Sequence, residues 1–235
     1  MNEYNISNED HIIIYGRESV FFIPRIWFMF RSFGHDKTKL HLMQGSLEDW
    51  IRLGGEVENV PVKVPQATNI VQQHQKNNKN DINCGYVANH DTSSYIVSIE
   101  DMMNRISHQQ QEDKDEERDY VIIDSRGSSF IKGHIPNSIH IPYNKFTETD
   151  NSLQMKSKND IHKIFKDAGI DPNTEKTVIC SCGSGVSACT TFLALELCGR
   201  NVDDTNSTLM YDGSWSEWGN EGTTPKVITP KEDND

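Results

Sequence analysis

The sequence predicts an α/β fold, a parallel sheet flanked by helices. Three observations carry this reading. Short apolar runs alternate with helix-period segments, the order that builds parallel sheets. Runs such as Tyr120-Val121-Ile122-Ile123 and Thr177-Val178-Ile179-Cys180 are continuously apolar, as strands covered on both faces are. Between the second of these and a helix-like run from Ser187 lies a small-residue loop, Cys182-Gly183-Ser184-Gly185-Val186. The boundaries read as a first domain over 1–62, a polar linker over 63–95, a second domain over 96–222 and a polar tail over 223–235.

The elements follow in order. His11 to Tyr15 is an apolar run closed by Gly16 and reads as a strand. Phe21 to Phe33 reads as a helix, with Pro24 in its first turn and Gly34 as its stop. Leu40 to Met43 is a second strand, and Leu47 to Leu53 an amphipathic helix stopped by Gly54-Gly55. From Pro61 to about Tyr95 the chain is polar and without apolar period, which reads as solvated linker, with Cys84 an incidental thiol inside it. Ser98 caps a helix to Ser107, and the charged, glutamine-rich run from Gln109 to Asp119 reads as a surface excursion. Tyr120 to Ile123 is a buried strand with Asp124-Ser125-Arg126 at its C-terminal end, where open parallel sheets place their sites. Asp160 to Ala168 is an amphipathic helix ended by Gly169. The strand from Thr177 feeds the small-residue loop and the helix from Ser187 to Cys198, stopped by Gly199. Leu209 to Asp212 is the last strand, followed by a helix from Ser214 to Trp218 whose tryptophans pack on the sheet.

Composition narrows the function classes. The 235 residues are 35% hydrophobic and carry a formal net charge of −12. That balance argues against non-specific binding of nucleic acid or anionic membrane. Five cysteines without a paired framework indicate a reducing compartment. Met1 to Asp10 is polar and acidic, unlike a secretory leader, and Ile12 to Phe30 is interrupted by Arg17, Glu18, Pro24 and Arg25, too broken to span a bilayer. A cytoplasmic setting is expected, with the mitochondrion also open. The nine histidines are scattered, so neither a metal nor a cofactor is expected.

The candidate chemistry lies at Cys182. A thiol between a strand end and a helix start meets free backbone N–H groups and the positive end of the helix dipole, both of which favour a thiolate. Gly183 and Gly185 let the backbone turn inward, and Ser184 adds a hydroxyl donor. A packed core strand has no use for two glycines and two serines directly after a cysteine. Cys189 and Cys198, on the helix, read instead as inert core thiols. Arg126 serves either to hold a substrate anion or to pair with Asp124, and the neighbouring carboxylate favours the pairing. His134 invites a Cys–His pair, but the tight turn around it favours a structural role. Cys180 shares a strand face with Cys182, which permits, without requiring, a resolving role after oxidation.

The loop Cys182 to Ala188 resembles the active loop of 3-mercaptopyruvate sulfurtransferases, the tandem-domain branch of the rhodanese family. Tyr211-Asp212-Gly213-Ser214-Trp215-Ser216-Glu217-Trp218 resembles that family's closing motif, and Asp124-Ser125-Arg126 with Gly133-His134-Ile135-Pro136 its opening ones. In the N-terminal part, Arg25 to His35 resembles the helix after the inactive loop of the first rhodanese domain, and Gln44-Gly45-Ser46-Leu47 with Trp50 that domain's closing motif. The corresponding loop, Tyr15 to Val20, has no thiol. The resemblance implies a sulfurtransferase in which Cys182 takes a sulfur atom as a persulfide. Ser184 assists it, and Gly183, Gly185, Val186, Ser187 and Arg126 line the binding loop. The implied donors are 3-mercaptopyruvate or, as the alternative, thiosulfate. The implied acceptors are cyanide or a thiol such as a thioredoxin-like or sulfur-carrier protein.

Two departures qualify the likeness. A family member has a further half-domain before residue 11, so the expectation is a truncated first domain with an exposed sheet edge and an uncovered apolar face. Mercaptopyruvate-type enzymes also carry two carboxylate-binding arginines between the opening motifs. Here that segment is Gly127-Ser128-Ser129-Phe130-Ile131-Lys132, with one lysine and no arginine. A phosphatase of related fold needs an arginine where this chain has Ala188, which argues against that class. A persulfide relay or an inactive remnant is the non-enzymatic reading.

Overall fold

The computed structural model describes residues 6–17, 22–60, 86–88, 95–111, 118–148 and 154–228. Strand β1 (Ile12–Gly16) leads to helix α1 (Ile23–Ser32), then β2 (Leu40–Ser46) and α2 (Leu47–Arg52). The second part runs α3 (Ile99–Gln111), β3 (Tyr120–Asp124), β4 (Ser138–His140), α4 (Lys158–Asp167), β5 (Thr177–Ser181), α5 (Ala188–Leu197), β6 (Thr208–Met210) and α6 (Ser214–Trp218). β1 and β2 pair in parallel, and the other strands form a parallel sheet in the order β4-β3-β5-β6. No helix among the described residues is long and apolar enough to cross a membrane.

The four-stranded sheet is covered on both faces, and strand periodicity decides which residue serves which face. Ile123, Val178, Cys180 and Met210 join one core with Ile161 and Phe165 of α4 and Phe192 of α5. Their neighbours Ile122, Ile179 and Leu209 join the other, with Met102 and Ile106 of α3 and Trp218 of α6. Helix α5 has no polar stripe: every residue from Ala188 to Leu195 is buried. A helix apolar all round must be covered all round. The sheet takes one side of α5 and α1 takes another, with Phe192 edge-on to Trp27 at 6.3 Å and to Phe28 at 5.1 Å. Burying Trp27 and Phe28, at 4% and 2% exposure, contributes about 1.5–3 kcal/mol each.

Ion pairs reinforce this seam. Arg31, 7% exposed, pairs with Glu196 at 3.2 Å and with Asp203, and Lys37 meets Asp203 at 3.0 Å. On its far side the N-terminal part leaves Ile13, Tyr15, Phe22, Ile26, Met29 and Leu53 exposed.

Several elements differ from the sequence reading. β2 extends to Ser46, whose hydroxyl accepts from the Asp49 N–H while the Asp49 carboxylate accepts from the Ser46 N–H, a capping box for α2. α3 runs on to Gln111, since glutamine propagates a helix without an apolar stripe to announce it. The linker is anchored where it is described: Asn8 exchanges two hydrogen bonds with Val87, and Tyr86 packs on Phe30 and His35. Residues 223–228 are no free tail, for Val227 and His134 exchange backbone bonds of 2.9 and 3.0 Å and Thr224 is buried. Cys84, the loop residues Glu18 to Val20 and the rest of the linker lie outside the described residues.

Candidate active site

Cys182 follows the last residue of β5 and is 2% exposed, at the C-terminal end of the sheet's second strand from the edge. Five residues later, Ser187 occupies the cap position of α5. The intervening loop is held from beneath by one side chain. The Ser214 hydroxyl accepts from the N–H of Cys182 at 3.0 Å and of Gly185 at 3.1 Å, and donates to the Tyr211 carbonyl at 2.8 Å. Ser214 is fully buried and sits at φ +52°, a left-handed backbone that non-glycine residues rarely adopt.

The loop carbonyls are held as well. Cys182 O accepts from Trp215 N at 3.0 Å, Gly183 O from Ser216 N at 2.8 Å and from the Ser216 hydroxyl at 2.5 Å. Gly185 O accepts from the Cys189 thiol at 3.3 Å, and Val186 O from Cys189 N at 3.2 Å. A planar trans peptide points its N–H opposite to its carbonyl. Tying these four carbonyls to the scaffold therefore turns the N–H groups of Gly183, Ser184, Val186 and Ser187 away from it. Those four N–H groups have no hydrogen-bond partner among the described residues. Ser184 is exposed at the loop tip. The N–H of Gly185 is spent on Ser214 and is not among those four.

Gly185 is where the loop is tightest. It lies at φ +75°, and a Cβ on it would stand 2.5 Å from Asp212 Oδ1 and 2.8 Å from Asp212 O. Only glycine meets both demands. Asp212 is itself paired with Arg25 of α1.

The other expected residues fall as follows. Arg126 is 6% exposed, binds Asp124 through Nε at 3.0 Å and Nη2 at 2.7 Å, donates to Gly133 O at 2.8 Å and covers the Trp215 ring at 4.7 Å. Its guanidinium is thus spent on a buried ion pair and the turn at Gly133 rather than lining the loop from Cys182 to Ser187. A carboxylate two residues away needs almost no chain entropy to reach. The His134 ring stacks on Phe130 at 4.0 Å, part of the turn rather than of a Cys–His pair. The four described cysteines are free and buried. Burial pushes the Cys189 thiol up to about 12 and Cys180 far above the ordinary thiol range, which keeps both protonated and makes Cys180 a poor resolving thiol. Sequence reasoning missed the anchoring by Ser214, the reach of Arg25 and the packing of Asp212. The one local signal was a serine between glycine and tryptophan in the motif after β6.

Comparison with known proteins bears on this geometry. Residues 107–221 match the rhodanese-like domain family. The chain is 27% identical over 227 residues to 3-mercaptopyruvate sulfurtransferase of Mus musculus, covering 91% of this chain and 64% of that protein. It is 26% identical over 226 residues to thiosulfate sulfurtransferase of Gallus gallus, covering 91% of this chain and 65% of that protein. The chain thus spans just under two thirds of the length of these relatives. Among solved structures, the 3-mercaptopyruvate sulfotransferase SseA from Escherichia coli superposes with a TM-score of 0.63 at 25% identity, over 91% of this chain and 70% of that one. The Tum1 protein from Saccharomyces cerevisiae shares the fold at a TM-score of 0.67 and 21% identity, over 93% of this chain and 69% of that one.

Proposed function

The chain belongs to the rhodanese family, and on that premise we propose that it is a sulfurtransferase working through a persulfide on Cys182, with 3-mercaptopyruvate as donor. The Cys182 thiolate attacks the donor sulfur. The S–S bond forms as the C–S bond breaks, and the sulfhydryl proton passes to the carbon that bore the sulfur, releasing pyruvate. The terminal persulfide sulfur carries the negative charge. An acceptor thiol, free or on a thioredoxin-like or sulfur-carrier protein, then removes that sulfur and regenerates the Cys182 thiolate; cyanide serves as a small acceptor. The exposed Ser184 hydroxyl is placed to donate to the incoming donor.

One observation carries this reading: the carbonyls around Cys182 are tied to the scaffold, so four N–H groups are left for an anion at the loop. Fixed amide dipoles in a water-poor site stabilise developing negative charge without reorganising. The choice of donor rests on charge. Thiosulfate is a dianion and calls for free cations, whereas Arg25 and Arg126 are both committed to carboxylates. Thiosulfate remains the second reading because the chicken relative bears that name. The cytoplasm or the mitochondrion is the proposed setting.

The test is intact-protein mass spectrometry after brief exposure to 3-mercaptopyruvate or thiosulfate, beside Cys182→Ser. Gain of one sulfur atom in the parent and none in the variant is expected, with 3-mercaptopyruvate the faster donor. No gain from either donor in folded protein would reject the persulfide route, and faster gain from thiosulfate would reverse the donor order.

A further inference from the structure

The N-terminal part offers no thiol in its described residues, yet one of its side chains reaches the loop. Arg25 stands two residues into α1, directly after Pro24. Its Nη1 pairs with Asp212 Oδ1, and its side chain is 26% exposed. Asp212 bears on Gly185, for it fills the space where a Cβ would stand. Gly185 in turn separates the N–H groups of Gly183 and Ser184 from those of Val186 and Ser187. Arg25 therefore holds the side chain packed on the loop's tightest residue.

We propose that Arg25 is a positioning residue for sulfur transfer, fixing the Cys182 loop from the N-terminal part through Asp212. The proposal rests on the persulfide reading above. Arg25 acts through Asp212 and makes no contact with the donor, so its loss lowers the rate at saturating donor and leaves KM nearly unchanged. A displacement of the loop by a fraction of an ångström costs about tenfold or more in rate. The charge and reach of lysine keep the bond to Asp212, so Arg25→Lys keeps most of the rate that Arg25→Gln loses.

The experiment compares the parent with Arg25→Gln, Arg25→Lys, Asp212→Asn and Arg25→Gln/Asp212→Asn. Persulfide formation is followed over a range of 3-mercaptopyruvate concentrations, and iodoacetamide labelling of Cys182 is mapped by mass spectrometry, at a temperature where each variant is folded. The expected results are a rate about tenfold lower in Arg25→Gln with KM within about threefold, rescue by lysine, and a double variant no worse than Arg25→Gln alone. Labelling of Cys182 becomes faster in Arg25→Gln as the loop loosens. Asp212→Asn breaks the same pair without touching α1 and carries the test if Arg25→Gln does not fold. Rates and labelling within twofold of the parent in both single variants would overturn the proposal. So would a raised KM at unchanged maximal rate, since Arg25 would then bind donor directly. If the parent itself forms no persulfide, the sulfurtransferase reading fails, and unequal or equal labelling alone upholds or rejects the role of Arg25.

Discussion

Replacing Ser214 by alanine is the sharpest perturbation of the Cys182 loop that leaves the loop sequence itself intact. The hydroxyl makes three close buried hydrogen bonds, accepting from Cys182 N and Gly185 N and donating to Tyr211 O, with the Ser181 hydroxyl donating to it at 3.5 Å. Alanine leaves both N–H groups and the carbonyl without that partner. An unsatisfied buried group costs about 1–3 kcal/mol. Taken at the low end for each of the three groups, the total is about 3 kcal/mol. For a chain of this size that lowers the unfolding midpoint by roughly 5–10 °C. Ser214 sits at φ +52°, where glycine is at ease and alanine is strained. Ser214→Gly removes the same hydroxyl but relieves that strain, so it should unfold about 1 kcal/mol later than Ser214→Ala. Calorimetry gives the midpoints, and hydrogen exchange reads the amides of Cys182 and Gly185, whose protection should fall together. If Ser214→Ala melts within about 1 °C of the parent with both amides as protected as before, Ser214 is not the loop's anchor.

Three further outcomes follow from the same structure. Gly185→Ala puts a Cβ 2.5 Å from Asp212 Oδ1 at φ +75°, so the loop must move. Persulfide formation should drop by about tenfold or more while the sheet, read by circular dichroism, is unchanged. Arg200→Met strips bonds of 2.5–3.0 Å from the carbonyls of Pro172, Thr174, Lys176 and Ser207 and from the Thr208 hydroxyl. The cost is about 3 kcal/mol or more and a midpoint roughly 6 °C lower, and Arg200→Lys, with fewer donors, recovers part of it. Burial pushes His35 and His134 below the ordinary histidine range. The unfolded chain therefore binds protons that the folded one refuses. That stability is present above about pH 6.5 and is lost as pH falls through that value toward the folded-state pKa values. Midpoints should decline from pH 7.5 to 5.5, and the decline should flatten in a His35→Gln/His134→Gln variant.

The elements that announced themselves share one property: their signals are local. β5, its glycine-rich loop and α5 are legible because an apolar run, two glycines and a mostly apolar helix directly follow one another. α1 is legible from Pro24 and Gly34. What escaped is non-local or written in the backbone. Arg25 and Asp212 are 187 positions apart, and no pattern in either neighbourhood names the other. The tie between His134 and Val227 is backbone to backbone, so their side chains carry no trace of it. The left-handed backbone of Ser214 breaks the usual preference for glycine, which is why a serine there read as helix start rather than anchor. For Arg126 the alternatives were a substrate anion and the neighbouring Asp124, and its guanidinium is bound to Asp124 and the Gly133 carbonyl.

The charges along the seam tie the N-terminal part to the Cys182 loop. Arg25, Arg31 and Lys37 come from the N-terminal part and pair with Asp212, Glu196 and Asp203 of the second. Exposed ion pairs contribute little to stability, and Lys37, 59% exposed, adds little here. Arg31 is buried and stacked 5.3 Å over Trp27, so removing it would leave Glu196 and Asp203 facing an empty seam. Asp212 poses a different problem. Its carboxylate packs against Gly185, within a loop whose amides are turned out for an anion. Left unpaired, it would oppose the very charge those amides favour, in a chain already at −12. Arg25 cancels it in place, so the loop presents amide dipoles without a competing carboxylate. On this argument the N-terminal part serves the proposed sulfur transfer by the charge it brings to Asp212.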